Sequence, residues 1–166
     1  MMPKQKYKLK IEYDGTDFAG WQVQPGKRTV QGEIEAMLSV LFQENCQLTA
    51  SGRTDSGVHA LGQVAHFTAT QPRTEYQIRQ GLNSLLADDI NIRQVEKAAD
   101  DFHARFDAVR RHYKYQIIRG NSAIRRRYAW CLPGDLDTNA MQQCADIITG
   151  EHDFRSFCST GAEVSH

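Results

Sequence analysis

The sequence of 166 residues lacks the features that mark secreted, membrane and metal-binding proteins. No two of its four cysteines have Cys-x-x-Cys spacing, so the pattern supports neither a zinc ribbon nor a thioredoxin-type motif. No apolar run is long enough to span a bilayer, and the basic N-terminus is not followed by the apolar stretch of a signal peptide. These absences favour a cytoplasmic protein with reduced cysteines and no membrane partner.

Cofactor and metal signatures are absent as well. The sequence contains no G-x-G-x-x-G, Walker A or H-E-x-x-H motif, so it gives no sign of a dinucleotide, a nucleoside triphosphate or a catalytic zinc. The histidines lack the spacing of metal ligands, and hydrogen-bonding or surface roles are expected for them. We therefore expect neither a metal nor a small-molecule cofactor.

Net charge gives no overall signal for a nucleic-acid partner, because 20 Lys and Arg residues balance 20 Asp and Glu residues. The charge is unevenly distributed, however. Eight Lys and Arg residues and a single acid, Asp107, lie between His103 and Arg127. The run Arg125–Arg127 is self-repelling and would gain from a polyanion. This basic segment is therefore either a phosphate-binding surface or a solvated face.

Apolar periodicity organises the first hundred residues. It predicts the order β-α-β-β-α-β, with strands over 6–13, 47–52, 62–69 and 90–95 and helices over about 30–42 and 75–87. Thr29 is the expected N-cap of the first helix, and Thr74 with Gln77 forms a capping box for the second. This order is typical of the split βαβ, or ferredoxin-like, α+β fold, an antiparallel sheet with helices on one face.

After Asp101 the pattern begins again. Residues 109–119 alternate like a strand that carries Tyr113 on one face, and residues 138–148 follow a helical pattern that ends before Gly150. The remaining residues, 151–166, are too few to complete a second four-stranded unit.

We therefore expect two domains, a ferredoxin-like domain over 1–102 and an incomplete, pseudo-repeated α/β domain over 103–166. In this interpretation the chain stops in mid-domain. The apolar side of the last helix, with Met141, Ala145 and Ile148, would then face water.

One loop between two predicted strands concentrates polar side chains. Residues 51–60 carry Arg53, Asp55 and His59 between and beside two glycines, whose backbone is permissive enough for a tight connection. A hairpin of the flanking strands would present this loop at one end. By itself the loop is either a solvated turn with a structural Arg–Asp ion pair, the commoner case, or a site with a functional carboxylate.

Four blocks of sequence allow a comparison with a known family. They are Tyr13–Gly15 with Phe18–Gln24, Gly52–Ala60, Phe102–Phe106 with Arg110–Tyr115, and Gly150–Phe157. In content and order these blocks resemble the signature of TruA-type tRNA pseudouridine synthases. The family usually has Ala where this chain has Ser56, and its members continue well beyond the fourth block.

The resemblance implies the pseudouridine synthase fold and an isomerase. Such an enzyme breaks the N1–C1′ bond of a uridine in RNA and joins C5 of the uracil to C1′. There is no redox change, which agrees with the expected absence of a cofactor. The family acts on uridines 38–40 in the anticodon arm of tRNA and works as a homodimer, so tRNA and a second copy of the chain are the expected partners.

The resemblance also assigns roles to three residues. Asp55 matches the catalytic aspartate, which either adds to the base or the sugar or abstracts a sugar proton to give a glycal. Arg53 matches the partner that would pair with Asp55 and keep it ionised. Tyr113 matches an active-site tyrosine whose ring would stack on the uracil and whose hydroxyl would take part in proton transfer.

The same sequence pattern is also compatible with a second function. Ferredoxin-like sheets also serve as non-catalytic RNA-binding modules, in which aromatic side chains on the sheet face stack on bases. Such a module would bind tRNA without isomerising it.

Overall fold

The computed structural model describes residues 4–158. Two compact units, Met1–Lys114 and Tyr115–His166, are distinguished by their internal contacts. No helix in the described part of the chain is long and apolar enough to cross a membrane.

The first unit is an α+β structure built on a four-stranded antiparallel sheet. Its strands are β1 (Gln5–Tyr13), β2 (Thr49–Ala50), β3 (Ala60–Ala69) and β4 (Ile90–Ala98), arranged in the order β2-β3-β1-β4. Helix α1 (Val30–Phe42) connects β1 to β2, and helix α2 (Glu75–Leu85) connects β3 to β4. The predicted element order is therefore confirmed.

Both helices of this unit begin at the predicted caps. The hydroxyl of Thr29 accepts a hydrogen bond from the amide of Gly32. Thr74 and Gln77 form the reciprocal capping box, in which each side chain accepts a hydrogen bond from the backbone amide of the other. The boundaries are less well predicted: α2 ends at Leu85 rather than Ala87, and β2 has only two residues.

A single hydrophobic core lies between the sheet and the two helices. Alternate residues of β1 enter it, and the largest fully buried side chains come from the sheet and from both helices. Tyr7 stacks on Phe67 with ring centroids 5.3 Å apart, and Phe42 of α1 meets Phe67 edge-on at 5.5 Å. The core fixes the register of the strands and thereby the position of the loops at their ends.

The segment after β4 folds back onto β1 and β3. The Lys6 ammonium donates to the backbone carbonyl of Phe102 over 2.8 Å. The backbone amide of Ala104 donates to Nδ1 of His66 over 3.2 Å, and both of these residues are buried. Residues 102–104 are therefore packed against the first sheet.

The predicted strand over 109–119 is wrong over most of its length. Only Ile117–Arg119 forms a strand, β5, and residues 108–116 have no regular secondary structure. A strand requires a partner for its backbone hydrogen bonds, and in the described chain no strand pairs with 108–116. Tyr113 therefore lies in an irregular segment rather than on a sheet face.

The described residues of the second unit form a short parallel sheet and one α-helix. Strand β5 pairs with β6 (Trp130–Leu132), and a 3₁₀ turn over Arg125–Arg127 lies between them in the chain. Helix α3 (Thr138–Ile148) has the predicted bounds, and its N-cap is Asp137. Its apolar residues Met141 and Ile148 are 47% and 48% exposed.

Candidate active site

The loop between β2 and β3 is a turn with a defined hydrogen-bond pattern. The backbone amide of Val58 donates to the carbonyl of Asp55 over 3.2 Å, which closes a four-residue turn. Gly57, the third residue of this turn, has a φ of +77°, a conformation that most side chains disfavour. The turn therefore holds Asp55 at its first position.

A second loop, residues 14–21, holds this turn in place through hydrogen bonds. The hydroxyl of Ser56 and the amide of Gly57 both donate to the carbonyl of Phe18, over 3.1 and 3.3 Å. The amide of Trp21 donates to the carbonyl of Thr54 over 2.9 Å. The turn is thus attached on both sides of Asp55, and the hydroxyl that distinguishes Ser56 from the usual Ala adds one of the attachments.

Two glycines allow the backbones of the two loops to approach. A Cβ placed on Gly15 would lie only 2.0 Å from the carbonyl oxygen of Val58. A Cβ on Gly20, whose φ is +107°, would lie 2.9 Å from the carbonyl oxygen of Thr54. Both positions require glycine because backbone atoms cannot move aside as a flexible side chain can.

The base of the turn is anchored in the core by Tyr13. The hydroxyl oxygen of Tyr13 lies 2.7 Å from Oγ1 of Thr54, the residue directly before Asp55. Tyr13 is buried and packs against Trp21 with ring centroids 5.9 Å apart. Burial is the main cause that raises the pKa of Tyr13 above its usual value, so its hydroxyl stays neutral and can donate this hydrogen bond.

His59, near the end of the Asp55 loop, contacts the first two residues of the second loop. Its Nδ1 lies 3.1 Å from the amide nitrogen of Gly15 and 3.0 Å from a carboxylate oxygen of Asp14. The same carboxylate oxygen of Asp14 accepts hydrogen bonds from the amide and hydroxyl of Thr16. Asp14 and His59 thus act in loop structure, and for His59 this is the hydrogen-bonding role expected of the histidines.

The side chains of Asp55 and Arg53 both face solvent. The expected ion pair between them is not formed: within residues 4–158 neither side chain has a hydrogen bond or ion pair. The loop therefore presents a carboxylate and a guanidinium that are both available to a bound molecule. Its rigidity comes from main-chain and hydroxyl hydrogen bonds rather than from the ion pair.

Tyr113 is brought to the same loop although it is not on a strand. It is 76% exposed, and its hydroxyl oxygen lies 3.9 Å from the position of a Cβ on Gly52. Its neighbour Arg111 donates to the carbonyl of Ser51 from both Nε, at 3.0 Å, and Nη2, at 2.5 Å. The structure thus brings Tyr113 to the first glycine of the Asp55 loop.

The contact made by Arg111 was missed by sequence reasoning, which counted this residue in the basic segment and in the third block of the family resemblance but gave it no role. Nothing in its spacing distinguishes it from Arg110, because the contact joins residues that are far apart in the chain. Metal ligation is not indicated in the described residues, since none of their His, Cys, Asp and Glu side chains form a group of three that could hold an ion.

Comparison with known proteins identifies the family of this chain. The model of the tRNA pseudouridine synthase family matches residues 10–107, which include both loops. The chain belongs to the tRNA pseudouridine synthase family. Asp55 and Arg53 lie within this matched region, and Tyr113 lies just beyond its end.

Individual relatives extend the similarity over nearly the whole chain. The tRNA pseudouridine synthase A of Bacillus licheniformis is 45% identical over 163 residues, which are 96% of this chain and 66% of that protein. The protein of the same name from Chlorobium phaeovibrioides is 50% identical over 151 residues, 90% of this chain and 62% of its own length. That of Rhodopseudomonas palustris is 44% identical over 163 residues.

The chain therefore spans a little less than two thirds of the length of these relatives. The matched part contains the Asp55 loop, its supporting loop and Tyr113.

Proposed function

We propose that this protein is a tRNA pseudouridine synthase that isomerises uridine to pseudouridine. The observation that carries the proposal is the Asp55 loop: a solvent-facing carboxylate on a turn held by hydrogen bonds on both sides, within a chain of this family. Relatives that are 44 to 50% identical bear the name tRNA pseudouridine synthase A. The reaction exchanges one glycosidic bond for another, with a proton leaving C5 and a proton arriving at N1.

Asp55 is the proposed catalytic group. A carboxylate can add to the base or the sugar as a nucleophile, or it can abstract a sugar proton as a base, and all three routes remain compatible with its position. Its exposure allows a flipped uridine to reach it. The attachments at Phe18 and Trp21 hold the turn before substrate arrives, so little ordering is left to the binding step.

Arg53 and Tyr113 are the proposed substrate-binding residues. Arg53 is not engaged in the described structure, so its guanidinium is available to pair with Asp55 or with a phosphate when RNA is bound. Tyr113 exposes its ring next to Gly52, where it can stack on a uracil that reaches Asp55. The hydroxyl of Tyr113 is a candidate for proton transfer at C5.

The proposed substrate region is the anticodon arm of tRNA, at uridines 38–40. Family membership supports this choice, and the exposed arginines of the 3₁₀ turn offer contacts to phosphate. We propose a homodimer acting in the cytoplasm, as for the family. The strand order β2-β3-β1-β4 supports a ferredoxin-like assignment for the first domain. The domain boundary after residue 102 stays a prediction.

The alternative, a non-catalytic RNA-binding module, is less well supported. That function needs aromatic side chains on a free sheet face. Three aromatic side chains of β1 and β3, those of Tyr7, Tyr13 and Phe67, instead lie in the hydrophobic core. An exposed carboxylate in a loop also does not contribute to stacking on bases.

The deciding experiment uses the full natural protein and tRNA transcripts labelled with tritium at C5 of uridine. Isomerisation releases that tritium to water, because C5 loses its hydrogen when it joins C1′. We expect release that saturates with tRNA and maps to uridines 38–40. Saturable tRNA binding without release would support the module and contradict the enzyme.

A further inference from the structure

Arg111 makes close hydrogen bonds beside the Asp55 loop, and neither the fold nor the proposed function has yet given them a role. Two N–H groups of its guanidinium, on Nε and Nη2, donate to a single oxygen, the carbonyl of Ser51. A third, longer hydrogen bond of 3.4 Å runs from Nη2 to the carbonyl of Arg105. A guanidinium that donates to two backbone segments in this way joins them through charge-assisted hydrogen bonds.

The carbonyl of Ser51 is free to accept these bonds because it lies at the end of β2. The amide of the same residue donates to the carbonyl of Val64 on β3 over 2.8 Å, and its hydroxyl donates to Oε1 of Gln63 over 2.8 Å. Gln63 also donates to the carbonyl of Gly52 over 2.7 Å. Arg111 therefore binds to a backbone position that the sheet itself holds in place.

Gly52 allows the guanidinium to cross the loop. A Cβ on Gly52 would lie 3.1 Å from Nε and 3.4 Å from Cδ of Arg111, and 3.9 Å from the hydroxyl oxygen of Tyr113. The absence of a side chain at this position thus leaves room for the guanidinium of Arg111, whereas the hydroxyl of Tyr113 would be in ordinary van der Waals contact with a Cβ. The first glycine of the loop has a steric role that differs from that of Gly57, which supplies a positive φ.

Residues 108–116 have no regular structure to hold Tyr113 in place. Every residue from Val109 to Gln116 is exposed, so burial does not fix the segment either. Arg111, two residues before Tyr113, makes the hydrogen bonds that join this segment to Ser51, at the start of the Asp55 loop. Because Tyr113 lies only two residues after the anchored Arg111, its position depends on that anchor.

We propose that Arg111 is a positioning residue that clamps Tyr113 against the loop carrying Asp55. This inference rests on the proposed function for its catalytic meaning, whereas the clamp itself is a physical contact that can be measured separately. Arg111 acts through Tyr113 and is not expected to touch the uracil. Its contribution therefore appears in the rate of the chemical step more than in the binding of tRNA.

The chain offers a matched control in the preceding residue. Arg110 has the same charge and is exposed, and in the described part of the chain it has no hydrogen bond or ion pair. Arg110→Gln and Arg111→Gln remove the same charge from neighbouring positions. A general electrostatic role in attracting RNA would make their effects similar, whereas a clamp makes them different.

The first measurement follows the carbonyl carbon resonance of Ser51 by NMR in the full natural protein. Loss of two hydrogen bonds to this carbonyl in Arg111→Gln should move the resonance upfield, and Arg110→Gln should leave it in place. Arg111→Lys should restore part of the shift, since an ammonium can donate to the carbonyl but cannot reproduce the two converging N–H groups. An unchanged Ser51 resonance in Arg111→Gln would show that the clamp does not exist.

The second measurement compares kcat and KM for tritium release from tRNA. Arg111→Gln should lower kcat by about 10- to 100-fold, the usual effect of a small misplacement of a reacting group, with KM within a few fold. Arg110→Gln should keep kcat near that of the natural protein. A changed Ser51 resonance with an unchanged kcat would overturn the positioning role and leave the proposed function intact.

A second variant displaces the guanidinium without changing any charge. Gly52→Ala places a methyl group against Nε of Arg111 and should lower kcat, and adding Arg111→Gln should then cost much less than it does alone. Fully additive effects would contradict the clamp. If the natural protein releases no tritium from tRNA, the proposed function and the positioning role both fail, while the Ser51 resonance still reports whether the contact forms.

Discussion

The hydroxyl oxygen of Tyr13 lies 2.7 Å from Oγ1 of Thr54 and links the buried end of β1 to the turn that presents Asp55. Tyr13 is the last residue of β1, and Thr54 immediately precedes Asp55. A residue fixed by the core thus sets the position of a side chain that faces solvent. Rigidity at Asp55 is obtained without burying the carboxylate, which leaves its charge hydrated and accessible.

The first prediction concerns this link. Thr54→Val removes one partner of a buried hydroxyl and should lower the free energy of unfolding by about 1 to 2 kcal/mol. It should also lower kcat for tritium release, because the turn loses its attachment to the core. Thr54→Ser keeps the oxygen and serves as the control, with stability and kcat close to those of the natural protein. Equal effects of the two variants would argue against the hydrogen bond.

The second prediction concerns the close approach of the two loops. Gly15→Ala would place a Cβ 2.0 Å from the carbonyl oxygen of Val58, so one backbone must move. We expect a loss of at least about 2 kcal/mol in the free energy of unfolding, measured by chemical denaturation.

Gly62→Ala is the control for this substitution. Its Cβ would meet only the side-chain carbons of Lys10, at 3.0 Å and beyond, and a flexible lysine can move away at little cost. Alanine in a strand also avoids the entropy cost of glycine. If Gly15→Ala were as mild as Gly62→Ala, the close approach of the loops would be contradicted.

The order of elements and the caps could be predicted from sequence because they depend on local patterns. Thr29, Thr74 and Gln77 act within one helical turn, and the alternation in β1 reflects a sheet with one buried face. The strand predicted around Tyr113 was wrong because alternation describes side chains and does not supply a partner for the backbone.

The site was predictable only in part. The glycines of the 51–60 loop and the family resemblance pointed to Asp55 and Arg53, but the contact between Gly15 and Val58 joins residues more than forty positions apart. The same holds for Arg111 and Ser51. Which of two adjacent arginines reaches a carbonyl depends on the path of an irregular segment, and no local pattern encodes that path.

The third prediction concerns pH. Burial, aided by the nearby charges of His103 and Lys6, lowers the pKa of His66 below its ordinary value of 6.5, and Asp107 opposes the shift. A folded-state pKa below the unfolded value means that the unfolded chain binds more protons. Stability is therefore full above pH 6.5 and is lost as the pH falls through the lower folded pKa.

Chemical denaturation at a series of pH values tests this expectation. The slope of unfolding free energy against pH below 6.5 should become shallower in His66→Gln, since that side chain does not titrate. His152→Gln is the control, because His152 is exposed and lies in the second unit. An unchanged slope in His66→Gln would show that another group causes the pH dependence.

The fourth prediction concerns the basic 3₁₀ turn. Replacing all three residues of Arg125–Arg127 by Gln should weaken tRNA binding and make the slope of log K against log salt shallower by at most about 2 to 3. The control replaces Arg79 and Lys97, which lie in the first unit, by Gln. If the slope does not change in the triple variant, these arginines form a solvated face and do not contact phosphate.

The most direct test of the central claim is tritium release from C5-labelled tRNA by the natural protein and by Asp55→Asn. Asp88→Asn is the control, because it removes the same charge from an exposed turn after α2. We predict that Asp55→Asn lowers the rate by about 10³-fold or more, as expected for loss of a reacting carboxylate, while tRNA affinity changes by only a few fold. Asp88→Asn should be as active as the natural protein. Near-normal release by Asp55→Asn would contradict the assignment of Asp55 and, with it, the mechanism proposed for this site.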